Sequence, residues 1–517
     1  MSMRRYERSG RAVYPLAFAA LLLLALESPL TQVRASASDE PAKTPAATTA
    51  PASAPSTGPA AERAKQWWKG RITIPTMPLD ILVVFTPAES DAWSATIDIP
   101  VQGASKLPLT DVAVSADALA FTLPPPANAV FKLDRAADGT SASGTMVQHG
   151  MTFPVSMERV SEREAGSVGP ERPQTPKPPF PYATREVTYR NESADITLAG
   201  TLSVPEGKGP HPVVLMITGS GPQDRDETLF GHKPFAVIAD HLARRGIASL
   251  RVDDRGVGGS TGSTPKSTSE DFASDVRAGI AFLQQQPEID RRRIALLGHS
   301  EGAMVAPMVA ADSPDVAAVV LLAPPGKTGQ EILKSQLAAI LTAAGLPADK
   351  VESQVKTQQK LISQVVADAS PAEIRKSIEE LIRGEQEASG SAAPLDADAM
   401  KALVDAQYEQ MNTPWMQFFI LHDPREALRK VRQPVLALFG EKDLQVLPGE
   451  NLMEVRQALE SSGNTRVTVK ALPKLNHLFQ EAQTGLVMEY ATLSQTIAPA
   501  ALDEITSWLR TTLGVSD

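Results

Sequence analysis

No cysteine occurs in the 517 residues. That excludes disulfides, thiolate metal sites and a cysteine nucleophile. An excess of positive charge is also missing. The formal net charge is −10 and no basic stripe stands out, which argues against nucleic acid as a partner. Histidines are few, seven in all. Neither they nor the carboxylates fall at metal-ligand spacing, so no metal and no other cofactor is expected. The N-terminal apolar run, Val13–Leu26, is shorter than the ~20 residues a membrane span needs. What is present is an ordinary apolar share, 42%, in a chain too long for one core. At roughly 100–200 residues per domain, two or three units are expected.

The N-terminus reads as an export signal. Arg4, Arg5, Arg8 and Arg11 form a positive region, Val13–Leu26 is the apolar stretch, and Ala35-Ser36-Ala37 fits a cleavage site. Residues 1–37 are therefore expected to be removed on export to a bacterial periplasm or medium, leaving no stable membrane span. Residues 38–64 are Ala, Pro, Ser and Thr with few large apolar groups. Such a segment cannot offset its ordering entropy and reads as a disordered spacer.

Residues 65–160 alternate apolar and polar positions in short runs, among them 80–85, 94–99, 118–123 and 153–157. This pattern predicts a small all-β domain, sandwich or barrel. Residues 161–182, rich in Pro, Glu and Arg, read as a linker. From 183 to 517 strand and helix patterns alternate, which argues for a mostly parallel sheet with helices on both faces. Val213–Ile217 is continuously apolar, as a strand buried on both faces should be. The rhythm breaks between Pro324 and Gln433, where the pattern is helical. Core α/β connections run ~2–6 residues, so about 325–432 is read as an inserted helical cap. Within it Ser370-Pro371-Ala372-Glu373 predicts a capping box with proline in the first turn.

Gly298-His299-Ser300-Glu301-Gly302 is a G-x-S-x-G pentapeptide between a strand pattern, Arg293–Leu297, and a helical one, Ala303–Ala311. Strand, tight turn and helix are the context of a nucleophile elbow, which makes Ser300 the candidate nucleophile. A serine hydroxyl needs a base to take its proton. In the order Ser…Asp…His the base follows the serine, and only His422 and His477 do. His477 lies past the apparent strand Arg466–Leu472 and before the last helix, where the base belongs. His422 reads as a cap or surface residue. The acid is expected after the strand 434–439, at Asp443, with Glu441 as competitor and Asp423 a weaker one. Its task is to hold one imidazole tautomer and to stabilise the imidazolium.

An oxyanion hole needs two backbone N–H donors. One is expected from Glu301, the other from Ser220 or Gly221 in the loop Gly219–Asp226. The polar run Gln223-Asp224-Arg225-Asp226 reads as a network fixing that loop. Asp253–Ser260 lacks nucleotide-loop spacing and reads as a tight loop beside the site. In the cap, Trp415, Met416 and Phe419 are candidates either for core packing or for lining an apolar acyl pocket.

Taken together, Gly219–Asp226, Asp253–Gly262, Gly298–Gly302, Gly440–Asp443 and Asn476–Phe479 resemble the α/β-hydrolases. More narrowly, they resemble the bacterial EstD-type carboxylesterases, some of which carry a signal peptide and an extra N-terminal domain. The resemblance covers about 183–515 well and is only general over 65–160. It implies hydrolysis of a small-molecule, short-chain acyl ester, with Ser300, Asp443 and His477 as triad. A peptidase of the serine aminopeptidase kind, or a non-catalytic binding protein, would use the same scaffold. Natural substrate and oligomeric state are not implied.

Overall fold

A computed structural model describes residues 64–74, 79–88, 92–99, 104–124, 127–148, 151–165, 171–388, 397–461 and 463–515. The expected export signal and nearly all of the 38–64 spacer lie outside the described residues. The chain divides into two compact units.

The first is a closed barrel of strands β1 (Gln66–Ile72), β2 (Leu79–Pro87), β3 (Trp93–Ile99), β4 (Ala104–Val114), β5 (Ala118–Leu123), β6 (Ala129–Arg135), β7 (Ser141–Gln148) and β8 (Met151–Val160). Each strand pairs antiparallel with the next, and β1 closes on β8 through Trp67↔Val160 to Ile72↔Val155. Alternation puts Trp68, Ile81, Val83, Phe85, Ile97, Leu119, Phe121 and Phe131 inside, each at most 1% exposed. Phe121 stacks on Phe131 with ring centroids 4.5 Å apart, and Phe85 meets Phe121 edge-on at 5.8 Å. Side chains fill the interior, as in other small barrels. The all-β expectation holds, in its barrel form.

The second unit carries the chemistry. Its sheet is ordered β9 (Tyr182–Asn191), β10 (Ile196–Pro205), β12 (Ala248–Val252), β11 (His211–Ile217), β13 (Ile289–His299), β14 (Val316–Leu322), β15 (Val435–Gly440), β16 (Val467–Leu472). β10 runs antiparallel to both neighbours, and from β12 through β16 all pairs are parallel. Buried aliphatic residues dominate the central strands, so both faces need cover. Helices α1 (Pro234–Ala243), α2 (Ser269–Leu283), α3 (Gly302–Ala310), α9 (Pro448–Glu460) and α10 (Pro499–Leu513) supply it. The chain passes from β11 to β12 on one side, then to β13 on the other. That reversal makes the carboxyl ends of β11 and β13 the place where an open α/β sheet leaves a crevice.

Between β14 and β15 the expected cap is present as α4 (Gly329–Ala343), α5 (Ala348–Val366), α6 (Pro371–Ala388), α7 (Ala397–Met411) and α8 (Pro414–Leu421). The capping box at α6 forms as the spacing predicts: Ser370 N–H and Oγ donate to Glu373 Oε2 at 3.1 and 2.7 Å. The cap core gathers Ile332, Leu361, Ile378 and Met416, and it includes Met304 of α3. The cap therefore packs on the helix that starts just after Ser300.

Within the expected 161–182 linker, Arg172 and Gln174 are anchored to the second unit. Arg172 donates to the carbonyls of Phe230 and Ala491 at 2.8 Å, and Gln174 donates to the carbonyl of Ile497 at 2.7 Å. Composition hid this, because the anchoring carbonyls lie from 58 to 323 residues downstream. No helix among the described residues is long and apolar enough to cross a membrane.

Candidate active site

The elbow is built by its glycines. A Cβ on Gly298 would lie 2.0 Å from the Gly302 carbonyl oxygen, and one on Gly302 would lie 2.1 Å from that of Ile217. Only hydrogen fits at either position. Ser300 itself holds a φ of 53°, a left-handed conformation that L-residues avoid at a cost of roughly 1–2 kcal/mol. Its N–H is tied to the carbonyl of Leu322 at 2.9 Å, which fixes the turn to the end of β14.

His477 and Asp443 come from the loops after β16 and β15. Nδ1 of His477 lies 2.7 Å from Asp443 Oδ2. The other carboxyl oxygen, Oδ1, accepts the N–H groups of Gln445 and Val446 at 2.8 and 2.9 Å. Asp443 is 2% exposed and His477 4%, so the acid is buried with its lone pairs engaged, as a buried carboxylate must be. Glu441, the sequence competitor, is exposed and accepts the Lys474 N–H at 3.0 Å instead. Asp423 is occupied by Arg425. His422 caps α8 and stacks on Phe418 at 4.8 Å.

His299 joins these parts. Its ring centroid is 4.8 Å from that of His477, and its Nε2 lies 3.0 Å from the His477 carbonyl oxygen. Its Nδ1 lies 2.9 Å from Oε1 of Glu227, which also accepts the Gly219 N–H at 2.7 Å. Gly219 opens the glycine loop after β11, and a Cβ there would meet the Ser300 Cβ at 3.4 Å. The Gly219 N–H is thus already committed. That leaves Ser220 and Gly221, the two candidates from sequence, as the next amides in the loop. Glu301 is the N-cap residue of α3, and its N–H belongs with the first-turn donors that no intrahelical carbonyl satisfies.

The Glu301 side chain is 3% exposed. Its Oε1 accepts the Ser269 hydroxyl at 2.5 Å and the Trp415 indole N–H at 2.8 Å. Ser220 also stands against this carboxyl, without a hydrogen bond of regular geometry. Burial raises the Glu301 pKa above the ordinary carboxyl range, against those donors. Burial likewise raises Asp254 well above it, although Thr218 Oγ1 and the Gln223 N–H bond it at 2.7 and 2.9 Å. For His299 burial opposes the charged form, yet the Glu227 carboxyl and the His477 carbonyl outweigh it and the pKa is raised.

The polar run after Gly219 is the expected network. Arg225 chelates Asp253 through its N–H, Nε and Nη2 at 2.9, 3.0 and 2.7 Å. Asp224 accepts the N–H groups of Asp226 and Thr228 at 3.0 Å. The Asp253–Ser260 turn spends its polar groups inward too: Gly259 N–H donates to Asp253 Oδ2 at 3.0 Å. In the cap, Trp415 and Phe419 stack at 5.2 Å and 7°. Met416 does not line a pocket. It is 0% exposed inside the cap core, because the helical period turns it away from Trp415. Sequence reading passed over Glu227, Asp254, Ser269 and the ring of His299. The available signal was their position within or beside the glycine-rich loops.

Comparison with known proteins fits this architecture. The family described as "Serine aminopeptidase, S33" matches residues 233–482. The esterase EstD of Thermotoga maritima is 28% identical over 324 residues, 62% of this chain and 67% of that protein. The thiohydrolase apmlB of Arthrinium phaeospermum is 28% identical over 229 residues, covering 38% of this chain and 69% of its own. Among solved structures, the Pyrococcus furiosus esterase PF2001 is similar with a TM-score of 0.40 and 15% identity, over 64% of this chain and 91% of that one. The chain is a serine hydrolase with the α/β-hydrolase fold, similar to the esterase EstD of Thermotoga maritima and carrying an N-terminal all-β barrel.

Proposed function

We propose that this protein is a carboxylesterase that cleaves short-chain acyl esters through Ser300, His477 and Asp443. The observation that supports it is the buried His477–Asp443 hydrogen bond of 2.7 Å, reached from the Ser300 elbow through the His299 ring. Ser300 Oγ attacks the ester carbonyl while His477 Nε2 takes its proton. The oxyanion is held by the N–H of Glu301 and one from Ser220 or Gly221, each worth ~3–4 kcal/mol in the transition state. His477 returns the proton to the leaving alcohol, then activates water against the acyl-enzyme. Trp415 and Phe419 face the acyl group in this reading.

The test is hydrolysis of p-nitrophenyl acetate and butyrate by the exported form, beside Ser300→Ala. Turnover in the first and a loss of ~10⁴-fold or more in the second is expected. Equal turnover in both would remove Ser300 from the mechanism. A second reading, a peptidase, is favoured by the description of the matching family. An aminoacyl anilide run in parallel separates them: cleavage of the anilide at a rate above the esters would select the peptidase.

Export is part of the proposal. Expression with the full leader in a bacterial host should yield a periplasmic or secreted protein whose first residue is Ser38. Retention of residues 1–37 on the mature chain would refute cleavage at Ala37.

A further inference from the structure

The two ring nitrogens of His299 face two oxygens. Nδ1 is 2.9 Å from Glu227 Oε1 and Nε2 is 3.0 Å from the carbonyl oxygen of His477. A backbone carbonyl only accepts, so Nε2 must carry hydrogen. Glu227 Oε1 also accepts the Gly219 N–H at 2.7 Å. An ionised carboxylate oxygen accepts both bonds at once, and that arrangement places the proton shared with Nδ1 on nitrogen. A neutral imidazole has one N–H; this environment asks for two. His299 is 5% exposed and Glu227 1%, so no bulk water replaces either bond. The groups facing the ring are Glu227 from the loop after β11, and His477 and Asp443 from the loops after β16 and β15.

We propose that His299 works as an imidazolium and is a positioning residue for the reaction at Ser300. Its two N–H groups link the oxyanion loop, through Glu227 and Gly219, to the backbone of the general base His477, while the peptide chain joins it to the nucleophile. Three parts that come from three different loops are thereby set at one spacing. When the ring loses its second proton, one of the two bonds must go. If Nδ1 is bared, it faces a carboxyl oxygen; if Nε2 is bared, it faces a carbonyl oxygen. Either contact turns repulsive and the His477 loop or the glycine loop is released. The raised pKa of the ring agrees with this arrangement.

The inference rests on the esterase reading for its kinetic consequence and on geometry alone for the charge. The experiment therefore has two arms on the full protein. In the first, histidine-selective ¹⁵N labelling reads the ring of His299, identified by the signals lost in His299→Gln. Hydrogen on both ring nitrogens at pH 7 is expected, and a singly protonated ring would overturn the proposal whatever the activity. In the second, kcat and KM on p-nitrophenyl butyrate are followed against pH for the wild type, His299→Gln and Glu227→Gln. A displacement of about 1 Å at a reacting group costs ~10²-fold. The expected result is a kcat lower by about that factor in both variants, with KM within threefold. The wild type should also show an alkaline loss of kcat that His299→Gln lacks. A merely structural histidine would lower yield or melting temperature and leave the shape of the pH profile unchanged, and that outcome would refute the positioning role. If His299→Gln fails to fold, Glu227→Gln decides alone. It keeps an oxygen for the Gly219 N–H but cannot balance the charge, so an unaltered kcat and pH profile in it would overturn the proposal.

Discussion

Trp415 on the cap donates its indole N–H to Oε1 of Glu301 at 2.8 Å, so a cap residue is hydrogen-bonded to the side chain that directly follows Ser300. The cap is therefore tied to the elbow at the position whose backbone N–H is proposed to hold the oxyanion. Trp415→Phe keeps the ring stack with Phe419 and removes only the donor. Losing one partner of a buried polar group costs about 1–2 kcal/mol. Part of that should appear in the transition state, so kcat/KM on p-nitrophenyl butyrate is expected to fall roughly tenfold. A value within twofold of wild type would mean that the bond joins cap to elbow without organising the site.

The acid of the site is open to a paired test. Asp443 Oδ1 is held by two backbone N–H groups, and Asp443→Asn keeps those contacts through its amide oxygen. The amide nitrogen then faces Nδ1 of His477 and selects the wrong tautomer. A fall in kcat of ~10⁴-fold is expected, as when a triad aspartate elsewhere becomes asparagine. Glu441→Gln, at the exposed competitor, should stay within threefold of wild type. The reverse pattern would reassign the acid.

The elbow holds Ser300 in a strained backbone conformation. Ser300 sits at φ 53°, and Ser300→Ala keeps that cost while Ser300→Gly removes it. Glycine loses about 0.5–1 kcal/mol through its greater freedom when unfolded, against a relief of roughly 1–2 kcal/mol. Ser300→Gly should therefore be more stable than Ser300→Ala by about 0.5–1 kcal/mol in urea unfolding, with both inactive. Equal stability would show that the turn is not strained at this residue.

Much of the site could be read from the sequence because it consists of turns. Gly298 and Gly302 are glycines for steric reasons, Asp443 lies just past the plain apolar run of β15, and His477 follows the alternating strand β16. The same logic brought out β14, β15 and the Val213–Ile217 part of β11, which are continuous apolar runs. The barrel was harder to read: β7, Ser141–Gln148, carries few apolar groups, and β4 has Pro108 within it. Their burial is decided by neighbouring strands rather than by their own pattern. The Glu227–His299 pair was invisible for a related reason. The two residues stand 72 positions apart, and local spacing carries no sign of that bond. For Met416 the sequence left core and pocket both open, because a cluster of large side chains on a short helix does not reveal which face meets the core; it packs in the core. Arg172 and Gln174 resemble linker composition until their distant carbonyl partners are known.

His232 makes the α/β unit sensitive to acid. The ring is fully enclosed, with Nδ1 2.9 Å from Thr496 Oγ1 and Nε2 2.9 Å from the Tyr490 carbonyl oxygen. Burial lowers its pKa from 6.5 to about 4; the Tyr490 carbonyl works against the shift and the charge of Arg172 adds to it. Between those two values the unfolded chain holds a proton on this ring and the folded protein does not. Stability is therefore complete above pH 6.5, falls as pH drops through 6.5 toward 4, and levels off below. The slope from one such proton approaches 1.36 kcal/mol per pH unit, giving a total of about 3 kcal/mol. His232→Gln should lose about 1–3 kcal/mol at pH 7 through an imperfect hydrogen-bond set. Its unfolding free energy should then decline less steeply than that of the wild type between pH 6.5 and 4. Urea unfolding of both proteins at pH 7, 6, 5 and 4.5 reads the two slopes. Parallel slopes would assign the acid sensitivity to other groups.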